Sequence, residues 1–186
     1  MEKENRVRKG IFIVPVVLLL VFFAAKDIEA FVEYPIGLPQ VRQGMEIAAV
    51  YLQPIKMDPP MSSDKDEKAD IHLEADIHAS GQNPNGFGEG EWIPYLTVTY
   101  KLTNLDNGQT VEGQMMPMVA SDGPHYGDNV IMPGIGRYKV EYTIENPRKT
   151  GFGRHTDKAT GVRPWFPTFS MEWEFKFLGL GKGTGF

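Results

Sequence analysis

Between Ala69 and Ala79, apolar and polar residues alternate without a break. Ile71, Leu73, Ala75 and Ile77 fall in one register, and Asp70, His72, Glu74, Asp76 and His78 in the other. A period of two belongs to a β-strand with one face turned to a core. A helix would carry residue 78 about 600° round from residue 72, putting the two histidines on different faces. A strand sets both in one row, with Glu74 and Asp76 between them. The tetrad Ala-Asp-Ile-His occurs twice here, so half of the chain's four histidines share a row with three carboxylates. Taken alone, such a row reads as the solvated face of an antiparallel sheet.

The rest of the chain extends the pattern. Met45 to Gln53 reads as an earlier strand, ended by Pro54. Ile93 to Leu102 alternates again, with Leu96, Val98, Tyr100 and Leu102 on one side. Asn107-Gly108 is a strong hairpin signal, and Thr110 to Val119 should return antiparallel. Tyr138, Val140, Tyr142 and Ile144 form the inner row of another strand, and Met171, Trp173, Phe175 and Phe177 that of the last. Tyr138 follows the turn at Pro133-Gly134 and resembles a tyrosine corner. Residues 57–68, 81–90, 120–132 and 147–169 read as loops rich in Gly, Pro, Ser or Asp. The 20 Gly and 14 Pro favour many short strands over long helices. About seven strands with hairpin-type links predict an all-β protein, an immunoglobulin-like antiparallel β-sandwich.

Residues 1–30 stand apart. A basic start (Lys3, Arg6, Arg8, Lys9) precedes the apolar run Ile11 to Ala25, which is short for a membrane span. This is the layout of a secretory signal, with an uncleaved anchor as the alternative. The expected domain is therefore residues 31–186, exported to an extracytoplasmic face. Without the five Lys/Arg and four Asp/Glu of residues 1–30, 14 basic residues face 20 acidic ones, a net charge of −6. That excludes nucleic acid as an expected partner and suits a protein that collects cations. No cysteine is present, so neither a disulfide nor a thiolate metal site is available. Methionine sulfur is the only soft donor left.

The remaining histidines lie in Gly-containing stretches. His125 sits in Ser-Asp-Gly-Pro-His-Tyr-Gly and His155 in Gly-Phe-Gly-Arg-His-Thr-Asp. Met118 precedes His125 by seven positions. A thioether with several imidazoles suits copper in either oxidation state. Glu74 adds a hard donor that would help hold Fe(II), Mn(II) or Zn(II). His72 and Glu74, two apart on a strand, have Cα atoms roughly 6.6–6.8 Å apart and can converge on one ion or a close pair of sites. The residues alone also allow solvated histidines, core methionines and, at Asp122, a simple turn residue. Nothing supports nucleophilic catalysis: there is no Gly-x-Ser-x-Gly, no His-Glu-x-x-His and no phosphate loop.

Three blocks, Ala-Asp-Ile-His-Leu-Glu-Ala-Asp-Ile-His, Met-Pro-Met-Val-Ala-Ser-Asp-Gly-Pro-His-Tyr-Gly and Gly-Phe-Gly-Arg-His, together with Met-Glu-Ile-Ala-Ala-Val-Tyr-Leu-Gln-Pro-Ile, resemble the periplasmic accessory proteins of high-affinity iron transport. The likeness runs from about Tyr34 to Phe177. It implies a homodimeric immunoglobulin-like sandwich that holds copper through residues matching His72, Met118, His125 and His155. Glu74 matches a carboxylate implicated in a second or shifting cation position. The implied role is a binding protein of iron uptake, not an enzyme, that passes iron to a membrane iron permease. Rival readings are an interaction module without metal and a copper-dependent iron oxidoreductase.

Overall fold

The computed structural model describes residues 32–61 and 67–180. Residues 1–30, read above as signal or anchor, lie outside the described residues. Among the described residues, ten strands form two antiparallel sheets. The first sheet runs β1 (Tyr34–Pro35), β3 (Met45–Leu52), β4 (Ile71–Ala79), β8 (Gly123–Val130), β7 (Met116–Ala120), with β2 (Gln40–Arg42) also on β3. The second runs β10 (Phe169–Phe177), β9 (Gly136–Glu145), β5 (Thr97–Asn104), β6 (Thr110–Gln114).

The core draws on the inward rows of both sheets. β4 gives Ile71, Leu73, Ala75 and Ile77; β5 gives Val98, Tyr100 and Leu102; β9 gives Tyr138, Val140, Tyr142 and Ile144. Two tyrosines of the second sheet reach across to the first. The Tyr142 hydroxyl donates to the Glu74 carbonyl at 2.9 Å, and the Tyr100 hydroxyl to Asp128 Oδ2 at 2.9 Å. Buried hydroxyls without partners are costly, so these bonds fix the relative placement of β9 and β4, and of β5 and β8.

The hairpin and the corner form as the sequence predicts. The Asn104 side chain accepts from Asp106 N and Asn107 N, and Gly108 takes φ 76°, which glycine adopts without strain. The Tyr138 hydroxyl donates back to Gly134 O at 2.6 Å and accepts from Asn104 Nδ2 at 3.1 Å.

Two expectations are corrected. The segment 110–119 is not one strand. It pairs with β5 through Gln114, passes to the other sheet at the buried Met115, and continues from Met116 as β7. Residues 120–132 are not a loop, because Gly123–Val130 is a strand between β4 and β7. Its polar composition hid it. The inward row is Tyr126, Asp128 and Val130, while the other row is His125, Gly127 and Asn129. All six are buried.

Candidate metal centre

The β4–β8–β7 register gathers the outward row of β4 with two neighbours. Glu74 lies opposite Gly127, His72 opposite Asn129, and Met118 opposite His125. Residues opposite one another in antiparallel strands share a face, so His72, Glu74, His125, Gly127, Asn129 and Met118 point the same way. The expectation of a solvated row fails where it matters most. His72 is fully buried, and Glu74 and His125 are 3% and 4% exposed.

His72, Glu74 and His125 bring their ligand atoms within 4.8 Å of one another. Glu74 Oε1 stands 3.2 Å from His125 Nε2 and 3.4 Å from His72 Nε2. The two imidazole rings meet nearly edge-on, centroids 6.0 Å apart. Neither Nε2 has a hydrogen-bond partner, although both atoms are buried. An orphaned buried nitrogen is costly and calls for a ligand or a water. Gly127 makes the space in front of them. A Cβ there would collide with His72 Nε2 and lie 3.3 Å from Met118 Sδ. The thioether therefore borders the same cradle as the imidazole.

The other ring nitrogen of His72 is occupied. Its Nδ1 lies 2.9 Å from Asn129 Oδ1. Burial, with a smaller contribution from His125, lowers the His72 pKa to about 4 against the bond from Asn129, so the ring is neutral near pH 7. Burial and the charges of Asp76, Glu33 and Asp122 push Glu74 up to about 8. Asp76 and Glu33 are also raised, chiefly by burial. Beside the triad opens a hollow of about 270 Å³ lined by Glu33, Asp76, His78, Asp122, Gly123, Pro124 and His125. It gives the centre an acidic mouth. A cation entering it offsets both the burial that chiefly raises these carboxyl pKa values and the smaller repulsion among the carboxylates.

His155 is elsewhere. Its side chain is 73% exposed, and Nδ1 bonds Thr160 Oγ1 at 2.7 Å, with Asp157 Oδ2 4.0 Å away. It is not part of the triad. Sequence reasoning missed Glu33, Gly127 and Asn129. Glu33 carries no signal. Gly127 and Asn129 would have followed from reading Gly123–Val130 as a strand through His125. The donors present, two imidazole nitrogens, a thioether and a carboxylate, fit copper, with the carboxylate suited to harder cations.

Residues 30–179 match the family described as Fe2+ transport protein. A UPF0423 protein of Brucella abortus is 51% identical over 183 residues, covering 96% of this chain and 97% of the relative. The 34 kDa membrane antigen of Treponema pallidum is 37% identical over 161 residues, covering 83% and 79%. Among solved structures, FetP of uropathogenic E. coli strain F11, recombinantly expressed in the periplasm of E. coli, is 57% identical with a TM-score of 0.78, covering 81% of this chain and 99% of that one. Copper-reconstituted P19 of Campylobacter jejuni is 54% identical, also at 0.78, with the same coverage.

Proposed function

The chain belongs to the Fe2+ transport protein family, and on that premise we propose an exported metal-binding protein of iron uptake. His72, Met118 and His125 hold copper, joined by His155. Glu74 receives harder cations, iron above all, from the acidic mouth. The iron then passes to a membrane iron permease. The protein is a carrier rather than an enzyme, and its place is the periplasm or an extracytoplasmic face.

The observation that carries this is the pair of buried, unpartnered Nε2 atoms of His72 and His125, both directed at the same Glu74 oxygen. An interaction module with incidental histidines gives no reason to bury two ring nitrogens without partners. Support for copper comes from the donor set and from the copper-reconstituted P19 neighbour. Bound copper would supply a redox-capable Lewis acid beside the iron position. Manganese or zinc would compete at the carboxylate.

His155 enters from a second copy of the chain. It is exposed, outside the triad, and held at one nitrogen by Thr160, which leaves its other nitrogen free for a neighbour. A homodimer in which each subunit lends His155 to the other's centre completes the four donors. Two measurements test the reading. Equilibrium titration with Cu(II), Fe(II), Mn(II) and Zn(II) should find tight copper binding that Met118→Leu weakens. Heterodimers of His72→Ala with His155→Ala should regain one full copper site per dimer. Absence of copper binding in the wild type would overturn the function, and failure of complementation would overturn the shared site.

A further inference from the structure

The geometry assigns to Asn129 a specific role, which is to hold the proton of His72 on Nδ1 and so leave Nε2 as a bare lone pair facing the Gly127 cradle. This assignment rests on the metal centre proposed above, and it concerns how the chain prepares one donor before any ion arrives.

Hydrogen-bond accounting fixes the proton. Asn129 is fully buried on β8, directly opposite His72 on β4. Its amide meets both backbone groups of Ile55, in the segment after β3. Asn129 Nδ2 donates to Ile55 O at 2.8 Å, and Ile55 N donates to Asn129 Oδ1 at 3.3 Å. A flipped amide would set donor against donor and acceptor against acceptor at both contacts, so its orientation is fixed. The atom 2.9 Å from His72 Nδ1 is therefore the amide oxygen. An amide oxygen only accepts, so Nδ1 carries the hydrogen. A neutral imidazole has one N–H, and Nε2 is then unprotonated. That is the atom found buried, without a partner, beside Glu74 and Gly127.

Asn129 also ties this donor to the chain around it. Its backbone N–H donates to Met61 Sδ at 3.4 Å, so the segment carrying Ile55 and Met61 is anchored to the same residue. Asn129 is a positioning residue, since it acts on an ion only through His72. Orienting partners of this kind typically carry 10–100-fold in metal affinity.

The test reads the tautomer directly. Long-range ¹H–¹⁵N spectra of the metal-free protein at neutral pH, with the His72 ring assigned through His72→Gln, should show nitrogen Nδ1 protonated. Asn129→Asp keeps an acceptor at that position and should preserve both the tautomer and most of the Cu(II) affinity. Asn129→Ala should lose the single tautomer and bind Cu(II) about 10–100-fold more weakly. A wild-type ring protonated on Nε2 overturns the inference, as does an Asn129→Ala protein with unchanged tautomer and affinity. Should Asn129→Ala not fold, the wild-type and Asn129→Asp spectra still decide. A wild-type protein with the expected tautomer but no copper binding would sink the proposed function and leave this assignment standing.

Discussion

Glu74 Oε1 lies 3.2 Å from His125 Nε2, across neighbouring strands, with both side chains almost wholly buried. In the metal-free protein the burial of this site makes stability depend on pH, because burial is the chief cause of the shifts of both Glu74 and His72. Glu74 titrates at about 8 when folded, against 4.5 for a free carboxyl. Between those values the folded protein keeps a proton that the unfolded chain has released, so stability falls as pH rises. His72 acts oppositely. Its folded pKa of about 4 lies below 6.5, so the folded state binds fewer protons in that window and stability rises with pH. The two effects offset each other from 4.5 to 6.5 and leave a net decline from 6.5 to 8. Urea denaturation of metal-free protein at those two upper pH values should find it less stable at the higher one. Glu74→Gln should flatten that difference, and an equal slope in the variant would disprove the assignment.

The same carboxyl should divide the cations. Replacing it by an amide removes the only hard anionic donor inside the triad, while leaving imidazoles and thioether in place. Glu74→Gln should therefore bind Cu(II) nearly as wild type but lose about tenfold or more in Fe(II) and Mn(II) affinity, as expected for a lost charged ligand. Competition titrations against a metallochromic indicator measure both.

The soft donors should behave in the reverse sense. Met118→Leu keeps the volume of a side chain that is 8% exposed and removes only the sulfur. It should weaken Cu(I) more than Zn(II), because thioether sulfur favours the softer ion. His125→Ala should cost at least tenfold in copper affinity for either oxidation state, which calorimetry would register. A copper titration unchanged by His125→Ala would remove that residue from the centre.

Much of this architecture could be read from the residues. The row His72, Glu74, Asp76, His78 was legible because β4's other face is strictly apolar, and such alternation survives any tertiary context. Tyr138 was legible from the turn before it. What hid was β8. A strand whose outward row is His125, Gly127 and Asn129, with Asp128 on its inward row, shows no hydrophobic period, because burial there is balanced by Tyr100, Asn129's own bonds and the cradle rather than by apolar packing. Glu33 could not be found at all. It reaches the hollow only through chain placement far from Asp76 and Asp122 in sequence. The exposure of His155 was equally invisible, since spacing says nothing about how far from a sheet face a loop carries its side chain.

Tyr138 tests whether the corner holds the fold independently of the metal. Its hydroxyl both donates to Gly134 O and accepts from Asn104 Nδ2. Tyr138→Phe strips both bonds while keeping the ring contacts to Phe175 and Phe177. The expected loss is about 1–3 kcal/mol, the usual consequence of leaving buried polar groups short of a partner. Copper affinity should not change, because the corner touches none of the proposed ligands. Denaturant midpoints and copper titration on the same preparation separate the two.

Gly127 offers the sharpest separation of fold from site. A methyl group there would meet His72 Nε2, its Cε1 atom at 2.8 Å, and Met118 Sδ at 3.3 Å. These are side-chain atoms on the outward face, away from the inter-sheet core. Gly127→Ala should therefore keep the β-sheet spectrum and lose about 1–3 kcal/mol at most, the typical consequence of overpacking. Its effect on metal should be far larger. The added carbon occupies the space where the imidazole and thioether converge, so copper affinity should fall by at least the tenfold expected for loss of one ligand. Glu74 faces the same space from the opposite strand, so Fe(II) binding should weaken as well, although no ligand has been removed. A Gly127→Ala protein that folds and binds both ions as the wild type does would mean the ions sit elsewhere, with the cradle a packing detail.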